Sequence, residues 1–407
     1  MPRWLVILIV VFLIVSIFEI YAFQALKTLT KNKLLRYGWL FTSSIIYAYF
    51  FFTILTSDQS SGQTKQFQWA FGLLLLVLLP KLTISFFLLG DDLFRGLKYV
   101  KTYFFSENKA LLSERRKFIS QIALGVASIP FLSLLHGIFV GKYNYKVLKY
   151  KLTFKDLPEA FDGFKITQIS DIHSGSFDNK EKIAYGVSLI NQQQSDVILF
   201  TGDIVNNFAS EMEAWIPVFS QLKAPLGKFS VLGNHDYGNY SEWKNKKDKE
   251  LNFKSIKEIH PKIGFELLLN ENRYLKKDGQ KIALIGVENW GKGFHKAGNL
   301  RKASEGIKQS EFKILMSHDP SHWEHKVKGD DFNYHLTLSG HTHGLQFGIE
   351  IPGFIRWSPS KYFYKQWAGL YQEFGRYINV NRGFGYHAFP GRVGIWPEIS
   401  VIELKKA

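Results

Sequence analysis

Four long apolar runs in the first third of the chain constrain its fold more than any other feature of the sequence. Residues 4–26 carry one charge, Glu19; residues 37–57 and 118–141 carry none; residues 69–90 carry only Lys81. A helix rises about 1.5 Å per residue, so about 20 residues cross a hydrocarbon core of about 30 Å, and every run is long enough. Core helices of water-soluble proteins are rarely apolar over such a length. The chain therefore reads as a transmembrane domain over 1–141 with four helices, followed by a second domain over 142–407.

The loops give the orientation. The first holds Lys27, Lys31, Lys33 and Arg36, and the third holds Arg95, Lys98, Lys101, Lys109, Arg115, Arg116 and Lys117, while the second offers only Lys65. The positive-inside rule makes the first and third cytoplasmic, so both termini and everything after Gly141 are expected on the extracytoplasmic face. Residues 1–150 hold +11 of the formal +16, so the basic excess reports topology and predicts no nucleic-acid partner. Glu19 and Lys81 are expensive inside a bilayer. The simpler expectation puts Glu19 near a helix end and lets Lys81 snorkel beside a Pro80 kink; the alternative is that they pair. The segment Ser113-Glu114-Arg115-Arg116-Lys117-Phe118-Ile119 resembles a twin-arginine export signal, with Glu114 as a departure, and so brings export machinery in as a partner. Ordinary positive-inside anchoring explains it equally well. No small-x-small cleavage pattern follows before Lys142, so the span is expected to stay as an anchor.

Beyond Lys142 the texture changes to short apolar runs closed by polar clusters. The absence of cysteine excludes disulfides, thiolate zinc sites and a cysteine nucleophile, and leaves any metal to His, Asp, Glu or Asn. Residues 165–170 read as a buried strand ending at Asp171 and 196–201 as another ending at Asp203, with a helix between them over 180–194, a βαβ unit. Further strands end at Asn234, at His318 and before His341. Ligands bind beyond the carboxyl ends of such strands. The residues gathered there are Asp171, His173, Asp203, Asn234, His235, His318, His341 and His343, a set of oxygen and imidazole donors suited to zinc, manganese or iron.

Asp171-x-His173, Gly202-Asp203, Gly233-Asn234-His235-Asp236, His318 and Gly340-His341-x-His343 stand in the order that the calcineurin-like metallophosphoesterase superfamily uses, and the stretch from Leu152 to Leu404 resembles it. The lead-in from Leu157 to Gly163 and the preceding anchor look like its bacterial membrane-anchored or twin-arginine-exported branch. The resemblance implies an α/β fold in which two packed sheets are flanked by helices, an αββα sandwich. It also implies two divalent metal ions, Mn, Zn or Fe, with Asp171, His173 and His343 on the first, Asn234, His318 and His341 on the second, and Asp203 bridging. Two cations so placed polarise a phosphoryl oxygen and generate hydroxide near neutral pH. His235 is then a catalytic acid or charge stabiliser rather than a ligand, with Asp236 orienting it.

Two departures bear on rate or substrate: Leu345 replaces the usual second glycine after His343, and Asn206 stands where relatives often have Asp. Trp243–Lys257 reads as a solvated helix or loop. The aromatic stretch from Phe354 through Trp357, Tyr362, Phe363, Tyr364 and Trp367 reads mainly as core, with contact to a membrane interface, a base or a sugar as the alternative. Arg392, in a glycine-rich tail with His387, is a candidate phosphate clamp. His136, His260, His295, His322, His325 and His335 match no ligand motif. The expected activity is metal-dependent hydrolysis of a phosphate mono- or diester at the outer membrane face, favouring lipid-linked or envelope substrates because the domain starts so close to the last span. The competing readings are a non-enzymatic receptor or scaffold with structural metals, a transporter with a regulatory phosphoesterase domain, and a hydrolase of soluble nucleotides.

Overall fold

The computed structural model describes residues 3–58, 60, 62–105, 113–351 and 353–407; Lys109 lies outside them. The chain divides into two compact units, one of residues 1–57 and 66–139, the other of residues 58–65 and 140–407.

The first unit is four helices, α1 (Arg3–Leu29), α2 (Lys33–Thr56), α3 (Lys65–Phe105) and α4 (Ser113–Phe139), each long and apolar enough to cross a membrane. Asn32 caps α2 by accepting from the Leu34 and Leu35 amides. At 41 residues α3 runs well beyond the expected 69–90 and carries Pro80 in its interior. The simpler expectation for the two intramembrane charges fails. Glu19 and Lys81 are both buried and form an ion pair. Trp39 Nε1 and the Tyr47 hydroxyl donate to the Glu19 carboxylate at 2.7 and 2.9 Å, and Lys81 Nζ also donates to Ser43 Oγ at 2.5 Å. The alternative, a pair, holds; sequence reading ranked it second because the partners are 62 residues apart and only the bundle brings them together. Both arginines of the export-like segment are likewise engaged: Arg115 Nε lies 3.2 Å from Asp91, and Arg116 donates to Asp91 and Asp92 at 3.2 and 2.9 Å.

The second unit is built on two six-stranded sheets. Its strands are β1 (Lys146–Phe154), β2 (Lys165–Ile169), β3 (Val197–Phe200), β4 (Lys228–Ser230), β5 (Glu266–Leu267), β6 (Glu271–Lys277), β7 (Gln280–Gly286), β8 (Lys313–Met316), β9 (Leu336–Ser339), β10 (Ile349–Ile351), β11 (Ile355–Trp357), β12 (Gly369–Glu373), β13 (Arg376–Val380) and β14 (Glu398–Lys406). The first sheet is ordered β1-β14-β2-β3-β4-β5 and the second β12-β13-β9-β8-β7-β6, while β10 and β11 form a separate hairpin. β2 to β5 run parallel to one another, as do β7, β8, β9 and β13.

Alternation along the strands explains the layering. Val197 and Leu199 of β3 pack with Ile314, Met316, Leu336 and Leu338 of the other sheet, whereas Ile198 and Phe200 join Ile183, Val187 and Ile190 of α5 (Lys180–Asn191). Leu315 turns the other way, to Trp323 and Val327. The result is helix, sheet, sheet, helix, an αββα sandwich. Near the carboxyl ends one polar contact crosses the apolar middle: Asn379 Nδ2 donates to Gln168 Oε1 at 2.8 Å, and Gln168 Nε2 to the Ser339 carbonyl at 2.8 Å. It fixes the position of β2 against β9 and β13 just below the loops that carry the ligand motifs.

Candidate metal centre

The loops after β2, β3 and β9 turn sharply. Asp171 (φ 51°), His173 (φ 47°), Asp203 (φ 62°), His341 (φ 72°) and His343 (φ 49°) all adopt left-handed backbone, which costs a non-glycine residue about 1–2 kcal/mol. Five such residues side by side mark a place where side-chain aim outweighs local preference. Glycine is required beside them. A Cβ at Gly340 would lie 1.8 Å from Ser170 Oγ and 2.3 Å from Asp171 Oδ2, and one at Gly233 would lie 2.1 Å from Asp203 Oδ1. Gly340 lets loops of the two sheets meet, and Gly233 lets the loops after β3 and β4 of the first sheet meet.

Among the described residues three donor groups result, of which one, His173, His235 and His387, is all imidazole and two contain a carboxylate. Ligand atoms of Asp171, His173 and His343 lie within 4.8 Å of one another, as do those of Asp203, His318 and His341. Asp203 Oδ2 stands 3.1 Å from His318 Nε2 and 3.6 Å from His173 Nε2, so it is reached from both groups. Asn234 Oδ1 lies 3.2 Å from His318 Nε2 and 2.8 Å from His341 Nδ1. Outer partners set the ring orientations. His318 Nδ1 donates to the Thr201 carbonyl at 2.7 Å and His173 Nδ1 to Asn206 Oδ1 at 3.1 Å, which leaves both Nε2 atoms facing inward. His341 is turned the other way, its Nε2 held by the Tyr364 hydroxyl at 2.7 Å.

The electrostatics are those of a cation pocket. Burial alone would raise the Asp203 carboxyl, yet His318 and His235 hold it well below the usual range. Burial opposes charge on His318, yet Asp203 and Asp171 hold its pKa up at about 10. Burial pushes His173 and His341 down. His343 Nε2 is buried 3.2 Å from Asp171 Oδ1. Hard oxygens and imidazoles fit divalent cations, and a bound cation would displace the proton that Asp203 and Asp171 hold on His318.

His235 sits beside both groups, 4.8 Å from the His173 ring and 4.4 Å from that of Tyr240, and its amide donates to Asp203 Oδ1 at 2.8 Å. Its orienting partner is not Asp236. His235 Nδ1 donates to the Asn206 carbonyl at 2.8 Å. Asp236 instead accepts from the amides of Asp203, Gly233 and Ile204 at 3.0, 2.8 and 2.9 Å, clamping two ligand loops, and burial with the nearby Asp203 raises its pKa to about 7. Burial lowers the His235 pKa, which favours neutral imidazole over the expected imidazolium. The phosphate-clamp expectation for Arg392 also fails: it is fully buried and donates to the carbonyls of Gly385 and Arg382 and to His343 Nδ1.

His387 is the functional neighbour that motif reasoning left out. Its ring stacks on His173 at 4.7 Å and meets His235 at 4.5 Å, delivered by the glycine-rich connection from β13 to β14. Tyr240, Tyr364 and Asp319 surround the second group and have no motif of their own; Asp319 Oδ2 lies 3.5 Å from His341 Nε2. The centre opens into a cleft of about 450 Å³ whose lining includes Phe294, Leu345, Phe363 and His387, and also Gln63, from the segment joining α2 to α3. Leu345 holds left-handed backbone (φ 49°) where a glycine would be at ease. The expected polar stretch after the third ligand strand is a helix, Lys246–Lys262.

Residues 2–142 match the family model "Probable Calcineurin-like phosphoesterase, transmembrane domain", and residues 164–345 match "Calcineurin-like phosphoesterase". The chain is 34% identical over 253 residues to the uncharacterized metallophosphoesterase YkuE of Bacillus subtilis, covering 61% of this chain and 82% of that protein. It is 28% identical to the bovine transmembrane protein with metallophosphoesterase domain, over 73% of this chain and 65% of that one. To the phosphodiesterase YaeI of Escherichia coli it is 25% identical, over 71% of this chain and 98% of that one.

Proposed function

The chain belongs to the calcineurin-like phosphoesterase family and is an integral membrane, metal-dependent phosphoric ester hydrolase; from that premise we propose that it cleaves a lipid-linked or envelope phosphate ester at the extracytoplasmic face through a dinuclear centre. The single observation that carries the dinuclear reading is Asp203, whose carboxylate stands between two donor groups. Asp171, His173 and His343 hold one cation in this reading, and Asn234, His318 and His341 the other. Manganese, zinc and iron suit the donors equally. Two such cations supply Lewis acidity at a phosphoryl oxygen and a nucleophilic water near neutral pH.

The chain's own residues do the rest. His173 and His318 keep their Nδ1 protons on Asn206 and Thr201, so Nε2 is the atom each would offer to a cation. With Nδ1 of His235 committed to the Asn206 carbonyl, its Nε2 is the atom that takes a proton from the attacking water and passes it to the leaving oxygen. Asp236 positions the Asp203 and Gly233 loops.

The outer face follows from the loop charges, which fall on the first and third connections. The short connection supports a membrane substrate, since α4 ends at Phe139 and the catalytic unit begins at Val140. Arg115 and Arg116 bind Asp91 and Asp92 inside the bundle, so we assign them to helix packing rather than to export machinery. Turnover of bis-p-nitrophenyl phosphate and p-nitrophenyl phosphate by the purified full chain, with and without added manganese, zinc or iron, tests the chemistry. No hydrolysis with any of them would favour a scaffold with structural metals. A periplasmic-type reporter fused after residue 141 tests the face, and activity only from a cytoplasmic-type reporter would reverse it.

A further inference from the structure

The β10–β11 hairpin is folded inside out. Ile349 pairs with Trp357, Glu350 with Arg356 and Ile351 with Ile355, so Glu350 and Arg356 share one face while Ile349, Ile351 and Ile355 share the other. Glu350 turns inward, and Arg356, though exposed, lays its guanidinium against the domain. Glu350 Oε1 is 2.6 Å from buried Arg382, and the Arg356 guanidinium lies over the rings of Trp367 and Tyr371. The apolar face is left outside, with Ile349 and Ile351 about half exposed and Phe354 at the tip 84% exposed. A half-buried hairpin in water normally shows the opposite arrangement.

The apolar surface does not end at the hairpin. Tyr362 and Phe363 are 70% and 76% exposed, and Phe363 and Leu345 also line the metal cleft. The same cleft is lined by Gln63, whose side chain accepts from the Ala388 amide and which stands two residues before α3 begins at Lys65. The cleft lining thus includes a residue two positions before the start of a helix long and apolar enough to cross a membrane. Aromatic residues with a flanking cation, here Lys361 beside Tyr362, suit the headgroup layer.

We propose that β10–β11 with Tyr362 and Phe363 forms a lipid-docking surface that rests in the headgroup layer and opens the metal cleft to a phosphate carried on a lipid. The docking stands on the hairpin alone; the statement about substrate deepens the phosphoesterase reading and rests on it.

The chain has no cysteine, so single-site labelling of the full protein needs no background removal. Nitroxide-labelled Phe354→Cys, in vesicles of phosphatidylcholine and phosphatidylglycerol, should collide with oxygen dissolved in the lipid and be shielded from a water-soluble nickel chelate. Phe374→Cys, equally exposed at the β12–β13 turn, should show the reverse. Matching accessibility at the two sites overturns the docking, and so does shielding of the Phe354 label from both agents, which would assign the face to a second copy of the chain. For the substrate, Ile351→Asn/Phe354→Asn should keep bis-p-nitrophenyl phosphate turnover within about twofold while hydrolysis of phosphatidic acid in vesicles falls tenfold or more. Equal vesicle hydrolysis by variant and parent, or none by the parent, overturns the lipid-substrate claim. Loss of all hydrolysis in the parent together with a lipid-buried Phe354 label would fault the phosphoesterase reading and leave the docking standing.

Discussion

The molecule buries two dense polar clusters, one in the helical unit around Glu19 and Lys81 and one at the strand ends around Asp203, and they differ in how their hydrogen bonds balance. In the helical cluster donors match acceptors: Glu19 receives Trp39, Tyr47 and Lys81, and Lys81 also reaches Ser43. In the strand-end cluster inward-facing acceptors outnumber donors. Two carboxylates and an amide oxygen converge with the inward ring nitrogens of His173, His318 and His343. Burial of charge is common to both and so does not identify a site. A deficit of donors does, because only a cation can close it.

The sharpest way to break this contrast is Asp203→Asn. Removing the shared charge should cost more than the roughly 10²–10³-fold expected for a single electrostatic stabiliser, and bound metal measured by plasma mass spectrometry should fall with it. Retained metal with retained turnover would show that the donor deficit has been misread. His235→Ala comes next. It should lower turnover by about 10²–10⁴-fold with metal content near that of the parent; an emptied centre would make His235 a ligand.

The closed cluster should respond in the opposite way. Lys81→Met leaves Glu19 buried and unpaired, a change that typically costs about 3–5 kcal/mol, and the thermal midpoint in detergent should drop accordingly. Glu19→Leu with Lys81→Met should recover most of that loss, because an apolar pair of similar volume removes both desolvation penalties. Turnover per folded molecule should be unaffected in either variant. If the double variant is no more stable than the single one, the cluster is not a self-contained ion pair.

How much of this was legible follows the range of the interactions. The four helices rest on local hydropathy, and the ligand motifs rest on residues just past short apolar strands, so both could be read along the chain. The Glu19–Lys81 pair, the His387 stack on His173 and the clamp from Asp236 to the Asp203 loop depend on contacts between distant segments or on where a loop returns. Arg392 shows the converse error. Its place in a glycine-rich tail suggested an open phosphate site, but those glycines allow the tail's own carbonyls to surround the guanidinium. The aromatic stretch divided, with Trp367 buried and Phe354 and Phe363 outside, because the hairpin between Gly348 and Ser358 inverts its faces.

The smallest effect concerns Glu211, which supports the Asn206 loop from outside the donor set. Its carboxylate accepts from the Asn206, Asn207 and Phe208 amides at 2.5, 3.2 and 3.1 Å, yet burial outweighs those bonds and raises its pKa to about 7. The folded chain therefore binds this proton more tightly than the unfolded chain, whose glutamate titrates near its ordinary value of about 4.3. The contribution of Glu211 to stability is largest below about pH 4.3, declines as pH rises towards 7 and is flat above it, a decline of roughly 4 kcal/mol at most. Asp236, also raised to about 7, adds a slope of the same sign. In chelator-treated full-length protein the buried histidines whose pKa burial lowers, His173, His235 and His341 among them, add a slope of the opposite sign between pH 5 and pH 7, so the test is a difference: Glu211→Gln should make the slope of the thermal midpoint over that range more positive than in the parent. The substitution also loses an acceptor for one backbone amide, a pH-independent cost of about 1–3 kcal/mol, so the slope and not the absolute midpoint carries the result. An unchanged slope would mean that the three amides win over burial and that Glu211 is ionised throughout this range.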